Sequence, residues 1–322
     1  MSSDILLSNE VNVFFFVETL LFLFQSIAVV FAIYIVRNWD FSSTSSFQYK
    51  LEMKSYLVNM IIYFTLLIKL LLLLYFIYTI DLLAAIIPGA MCGAGVISSN
   101  QYGETLLLLK IILLFLSASW IVINKLDLQY KNFPYLTKKF KIFIFIYCLL
   151  IIEFILDFLY FSNISTASFT TCCSVLYNSE SISAIPFELS IQQLSILFYS
   201  LFIISFIVNI KKIAYFNALV HLFFLYISYY SIIYFFGTYI YQLPTHNCPF
   251  CMLQSDYNYV GYIVFISLFF GVFFGVLNTI LKVLLDEEIE KYYFYSNIFY
   301  ILFVFISSFY VINYYIKNGV FL

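Results

Sequence analysis

Charge is what this 322-residue sequence has least of: only 10% of it is Asp, Glu, Lys or Arg, against about 25% in an ordinary soluble domain. With 64% hydrophobic residues and a mean hydropathy of +1.00, a water-soluble fold is excluded. Polar stretches long enough to form an appended soluble domain are missing too. Glycine (9) and proline (5) are sparse, while Phe (40) and Tyr (30) join Ile and Leu in filling the apolar runs. There is no basic patch suited to nucleic acid, no phosphate-cradling glycine loop, no His pair at haem-ligand positions and no credible Ser-His-Asp set. The opening MSSDILLSNE carries two acids and no base, so it lacks the basic n-region of a secretory signal. The first apolar run is therefore expected to be a retained span.

A bilayer core of about 30 Å is crossed by roughly 20 apolar helical residues, and eight runs qualify, at approximately 11–36, 56–80, 105–124, 142–161, 190–210, 213–240, 259–281 and 294–316. The expected fold is all-α: a polytopic integral membrane bundle of about eight transmembrane helices, in one domain over 1–322, with the lipid bilayer as its first partner. The break at Lys211-Lys212 is the shortest, and a kinked or re-entrant helix is the alternative there.

The basic residues alternate. Arg37, Lys50 and Lys54 follow span 1; Lys125, Lys131, Lys138, Lys139 and Lys141 follow span 3; Lys211 and Lys212 follow span 5; Lys282 and Lys291 follow span 7. The loops after spans 2, 4 and 6 hold no Lys or Arg, only the acids Asp81, Glu104, Glu180, Glu188 and Asp256. The positive-inside rule then puts both termini on the non-cytoplasmic side, in a bacterial inner (cell) membrane. That topology gathers Cys92, Cys172, Cys173, Cys248 and Cys251 in loops of one compartment, leaving only Cys148 inside a helix. In a bacterium this compartment is the oxidising periplasm, where disulfides persist.

Each cysteine loop differs. PGAMCGAG (88–95) surrounds Cys92 with small residues that allow a sharp turn or close approach. STASFTTCCSVLYNSES (165–181) reads as an irregular surface loop. LPTHNCPFCMLQSDYNYVGY (243–262) carries Cys248-Pro249-Phe250-Cys251, expected at the outer start of span 7, where a helix N-terminus stabilises the leading thiolate. Such a pair exchanges disulfides.

The run Cys248-Pro-Phe-Cys251-Met-Leu-Gln254, with Tyr257, Tyr259 and Gly261-Tyr262 after it, resembles the C-x-x-C segment of the DsbB-like family of quinone-linked membrane thiol oxidases. The likeness covers about 20 residues; Ser255 stands where that family has an arginine, and eight spans are twice its usual four. The resemblance implies a membrane thiol–disulfide oxidoreductase with a quinone acceptor, a site including Gln254, and a periplasmic thiol protein as partner. Cys248 and Cys251 would be the membrane-side pair, with Cys92, Cys172 and Cys173 as relay or partner-facing thiols. Vicinal Cys172-Cys173 would pair elsewhere, because an eight-membered ring strains the peptide.

The same atoms admit two other readings. His246, Cys248 and Cys251 have H-x-C-x-x-C spacing, and thiolates with imidazole suit copper or zinc, as in a metal-binding or metal-transfer protein. Otherwise, loop disulfides staple a structural membrane protein. Intramembrane charges are costly and often functional. Glu18, Lys110, Glu153 and Asp157 map to the outer halves of their spans and Lys69 to mid-membrane, converging beneath the cysteine loops. Glu153 and Asp157, at i,i+4, share a face, and Lys110 or Lys69 would neutralise them. Charge pairing that fixes packing is one account; a proton path, or a quinol pocket formed by Lys110, Glu153 and Asp157, is the other. His221 is expected to be a packed or interfacial histidine.

Overall fold

The structure, a computed structural model, describes residues 3–43, 45–130, 132–166, 170, 185, 188–244 and 246–322. Among the described residues, eight helices are long and apolar enough to cross a membrane. They are α1 (Asn9–Asn38), α2 (Ser46–Leu83), α3 (Gly103–Asp127), α4 (Leu136–Ser162), α5 (Ile191–Ile210), α6 (Ala214–Tyr241), α7 (Val260–Leu285) and α8 (Glu290–Asn318). The chain forms two compact units, Met1–Thr170 and Thr171–Leu322, so each unit holds four of the spans.

Several helices outrun the apolar stretches that mark them. Helix α2 begins ten residues before the expected 56, because nothing in Ser46–Ser55 breaks it and Ser45 caps it, accepting from the Gln48 amide at 3.2 Å. At 38 residues it is about 57 Å long at 1.5 Å per residue, longer than a bilayer core. Helix α4 likewise starts at Leu136 and takes in Lys139, which composition alone assigned to a loop. The Lys211-Lys212 break is a true reversal: Lys212 adopts φ 53° and α6 starts anew at Ala214. Helix α6 contains a π-helical turn at Ile232–Phe236.

Polarity is arranged inside out, as lipid requires. Side chains facing outward are large and apolar: Phe158, Phe305 and Leu71 are 57, 67 and 60% exposed. Many polar span residues turn inward, among them Glu18, Lys69, Lys110, Glu153, Asp157, Asn209 and His221, away from lipid. In the first unit α1 packs on α2 and α4, and α3 on α2 and α4; in the second α7 packs on α6 and α8, and α5 on α6.

Candidate functional sites within each unit

In the first unit the polar interior is ionic. Lys69 of α2 binds Glu18 of α1 and, at 2.9 Å, Glu153 Oε2 of α4. Lys110 of α3 donates to Glu153 Oε1 at 2.7 Å and to Asp157 Oδ2 at 2.9 Å. All five side chains are buried. The i,i+4 spacing of Glu153 and Asp157 does put both on one face, and both lysines reach it. Lys69 therefore stands at the level of the cluster. Lys110 Nζ also lies over the faces of Phe14 (5.2 Å) and Phe76 (4.7 Å).

Above this cluster sits the Cys92 loop. Cys92 is buried and precedes the short helix Gly93–Ile97. That helix is tied to the end of α4: Tyr160 O–H donates to the Val96 carbonyl at 2.9 Å, and Asn100 Nδ2 donates to the Tyr160 carbonyl at 3.0 Å. Tyr160 is three residues, less than one turn, from Asp157. The loop and the charged cluster thus share α4 as their support. Cys148, also on α4, is exposed.

At the opposite end of this unit is an ion pair the sequence reading missed. Lys139 Nζ binds Asp127 Oδ2 at 2.7 Å and donates to Asn124 Oδ1 at 3.0 Å, while Asp127 Oδ1 accepts from the Tyr135 amide. Trp120 Nε1 donates to the Lys139 carbonyl at 2.8 Å. These bonds fasten the α3–α4 turn.

In the second unit the C-x-x-C segment is not at the start of α7. Cys251 opens a single 3-10 turn, Cys251–Leu253, a second turn spans Ser255–Tyr257, and Asn258 and Tyr259 both adopt positive φ before α7 begins at Val260. The left-handed pair breaks any continuous helix, so the dipole of α7 does not reach Cys248. What holds the motif instead is Tyr241, the last residue of α6. Its hydroxyl donates to the Cys248 carbonyl and accepts from the Met252 amide at 3.1 Å. Gly261 completes the seat: a Cβ there would lie 2.5 Å from Met252 Cγ, so only glycine lets the turn rest on α7.

Cys248 and Cys251 are both buried, with Sγ atoms within 4.8 Å of each other. His246 is half-buried and its ring packs at a tilt of 39° against Tyr241 with centroids 4.1 Å apart. Gln254 caps the 3-10 turn, its amide donating to the Cys251 carbonyl at 3.1 Å and its carbonyl accepting from the Tyr257 and Tyr259 amides. No family model matches this chain, nor does any curated protein or solved structure. Cys172 and Cys173 lie outside the described residues.

Deeper in the second unit is a neutral network. His221 Nε2 meets Asn209 Oδ1 at 3.0 Å, and His221 Nδ1 meets Tyr300 Oη at 2.5 Å. Asn209 Nδ2 donates to Ser296 Oγ and Asn297 Oδ1, so its Oδ1 is left as acceptor. His221 must then carry its proton on Nε2 and accept from Tyr300 through Nδ1. Gly275 makes room for it: a Cβ there would lie 2.3 Å from the imidazole. His221 is a packed histidine.

Proposed function

We propose that the protein is a membrane thiol–disulfide oxidoreductase whose redox pair is Cys248 and Cys251. The observation that carries this reading is the pair itself: two buried thiols within 4.8 Å, in a short loop clamped at both ends by one tyrosine hydroxyl. Side-chain rotation can close that separation to a disulfide. The clamp holds the backbone carbonyl of one cysteine and the amide just after the other, so the loop keeps its shape as the sulfurs change partners.

In this proposal the Cys248–Cys251 disulfide takes two electrons and two protons from a partner dithiol, which leaves as a disulfide. A membrane quinone then takes the two electrons and two protons from the reduced pair and becomes a quinol. Attack by a partner thiolate on one sulfur gives a mixed disulfide, resolved by the partner's second thiol. Cys92, Cys172 and Cys173 belong to the same compartment in the charge-derived topology and are the remaining relay thiols; that topology puts both termini outside a bacterial cell membrane.

The test is trapping in the full-length protein. With Cys251→Ser, Cys248 is expected to accumulate a mixed disulfide visible on non-reducing gels, while His246→Ala leaves exchange nearly unchanged. Stoichiometric copper or zinc in the purified protein, lost on either cysteine substitution without any adduct, would replace this function with metal binding. Absence of both adduct and metal would leave a structural role.

A further inference from the structure

The ionic cluster of the first unit does not balance. It contains three carboxylates, Glu18, Glu153 and Asp157, and two ammonium groups, Lys69 and Lys110, all at most 8% exposed. Fully ionised, it would hold one uncompensated negative charge among apolar side chains in the membrane. An isolated buried charge of this kind neutralises by taking up a proton.

Hydrogen bonding indicates where. Glu153 has a lysine at each oxygen, Lys110 at Oε1 and Lys69 at Oε2, and is the best-compensated anion of the three. Glu18 and Asp157 each have one oxygen on a lysine and one without a partner, Glu18 Oε2 and Asp157 Oδ1. They differ in surroundings. Glu18 lines a cavity of about 20 Å³ with Lys69, Lys110, Ser117 and Glu153, room for one water molecule, and Ser117 Oγ is likewise unpartnered. Asp157 does not line it. On the loop side of Asp157 the chain runs into a layer of buried aromatics, Phe14, Phe76, Tyr160 and Phe161, with neighbouring ring centroids 5.1–6.5 Å apart.

We propose that this cluster is a proton-binding site in the membrane interior, holding one exchangeable proton on Asp157 Oδ1. The ion-paired series Glu18–Lys69–Glu153–Lys110–Asp157, with N···O separations of 2.9 Å or less, leads from the cavity to the Asp157 carboxyl, which it meets at Oδ2. With Asp157 neutral, two carboxylates face two ammonium groups. The charged groups facing Asp157 come from every helix of the unit: Glu18 on α1, Lys69 on α2, Lys110 on α3 and Glu153 on α4. The site is independent of the cysteine chemistry proposed above.

The experiment is infrared spectroscopy of the full-length protein in lipid at neutral pH, in H₂O and D₂O. The wild type is expected to show the C=O stretch of one protonated carboxylic acid, shifted in D₂O and absent from Asp157→Asn. That variant mimics the protonated side chain, so it is expected to unfold at the wild-type temperature, whereas Glu153→Gln, which strips both lysines of a shared anion, unfolds at a lower one. A band that survives Asp157→Asn but is lost in Glu18→Gln would overturn the assignment to Asp157. No band, with an unfolding temperature that rises with sodium, would overturn the proposal in favour of a bound cation. No band and no sodium dependence would overturn it as well.

Discussion

The two units bury polar groups in opposite ways. Among the described residues, the first unit encloses seven charged side chains, Glu18, Lys69, Lys110, Asp127, Lys139, Glu153 and Asp157, whereas the buried polar side chains of the second are all formally neutral: Asn, Ser and Thr with His221. The first relies on Coulomb attraction across helices, where geometry is tolerant but the loss of one partner strands a charge. The second relies on directional bonds that set one tautomer of His221, where each lost bond is a smaller loss. Ion pairs join helices strongly and invite protonation chemistry; a neutral network specifies one packing.

The largest effect should come from breaking the ionic unit. Lys110→Met leaves the anions Glu18 and Glu153 to share the single cation of Lys69, and loss of one partner of a buried pair costs about 3–5 kcal/mol. We expect little folded protein in membranes and a much lower unfolding temperature in detergent; wild-type behaviour would remove the contrast.

A smaller loss, about 1–3 kcal/mol, is expected for Tyr300→Phe, which leaves the Nδ1 acceptor of His221 buried without its donor. Thermal unfolding would measure it, and a double-mutant cycle with Asn209→Ala should show coupling, because both act through one imidazole. A strictly additive pair would mean that the network does not act as a unit.

Gly275→Ala probes the same site sterically. Its Cβ would sit 2.3 Å from the His221 ring, and overpacking of this kind costs about 1–3 kcal/mol. Unfolding temperature is again the readout, and an unchanged value would show that the imidazole can withdraw.

The smallest effect is predicted for Lys212→Ala. Lys212 pairs with Glu290 where the side chains are 47 and 79% exposed, and such pairs contribute under about 1 kcal/mol. A loss approaching that of Lys110→Met would erase the distinction between buried and exposed charge in this protein.

Much of the fold is legible in one dimension. Eight apolar runs become eight helices, with ends displaced mainly where polar residues extend a helix past the hydrocarbon, as Ser46–Ser55 do in α2. The ionic cluster is partly legible too: Glu153 and Asp157 four apart in an apolar run must share a face, and two lysines in neighbouring runs are their natural partners. Lys139 misleads for the same reason, since a lysine beside Lys138 and Lys141 reads as loop charge until Asp127 is seen to hold it.

The C-x-x-C motif was visible and its setting was not. Nothing in the spacing announces that Tyr241, seven residues before Cys248, will clamp both ends of the motif, or that positive φ at Asn258 and Tyr259 will part it from α7. His221 is a similar case: its partners lie 12 and 79 residues away, and no periodicity connects them. By itself the sequence determined how many stretches are long and apolar enough to cross a membrane and which side chains are too polar to face lipid, because transfer into hydrocarbon depends on local composition. Only the tertiary structure decided which polar groups meet, that three carboxylates share two lysines, and that His221 is held in one tautomer, because these depend on helix rotation and close approach between residues far apart in the chain.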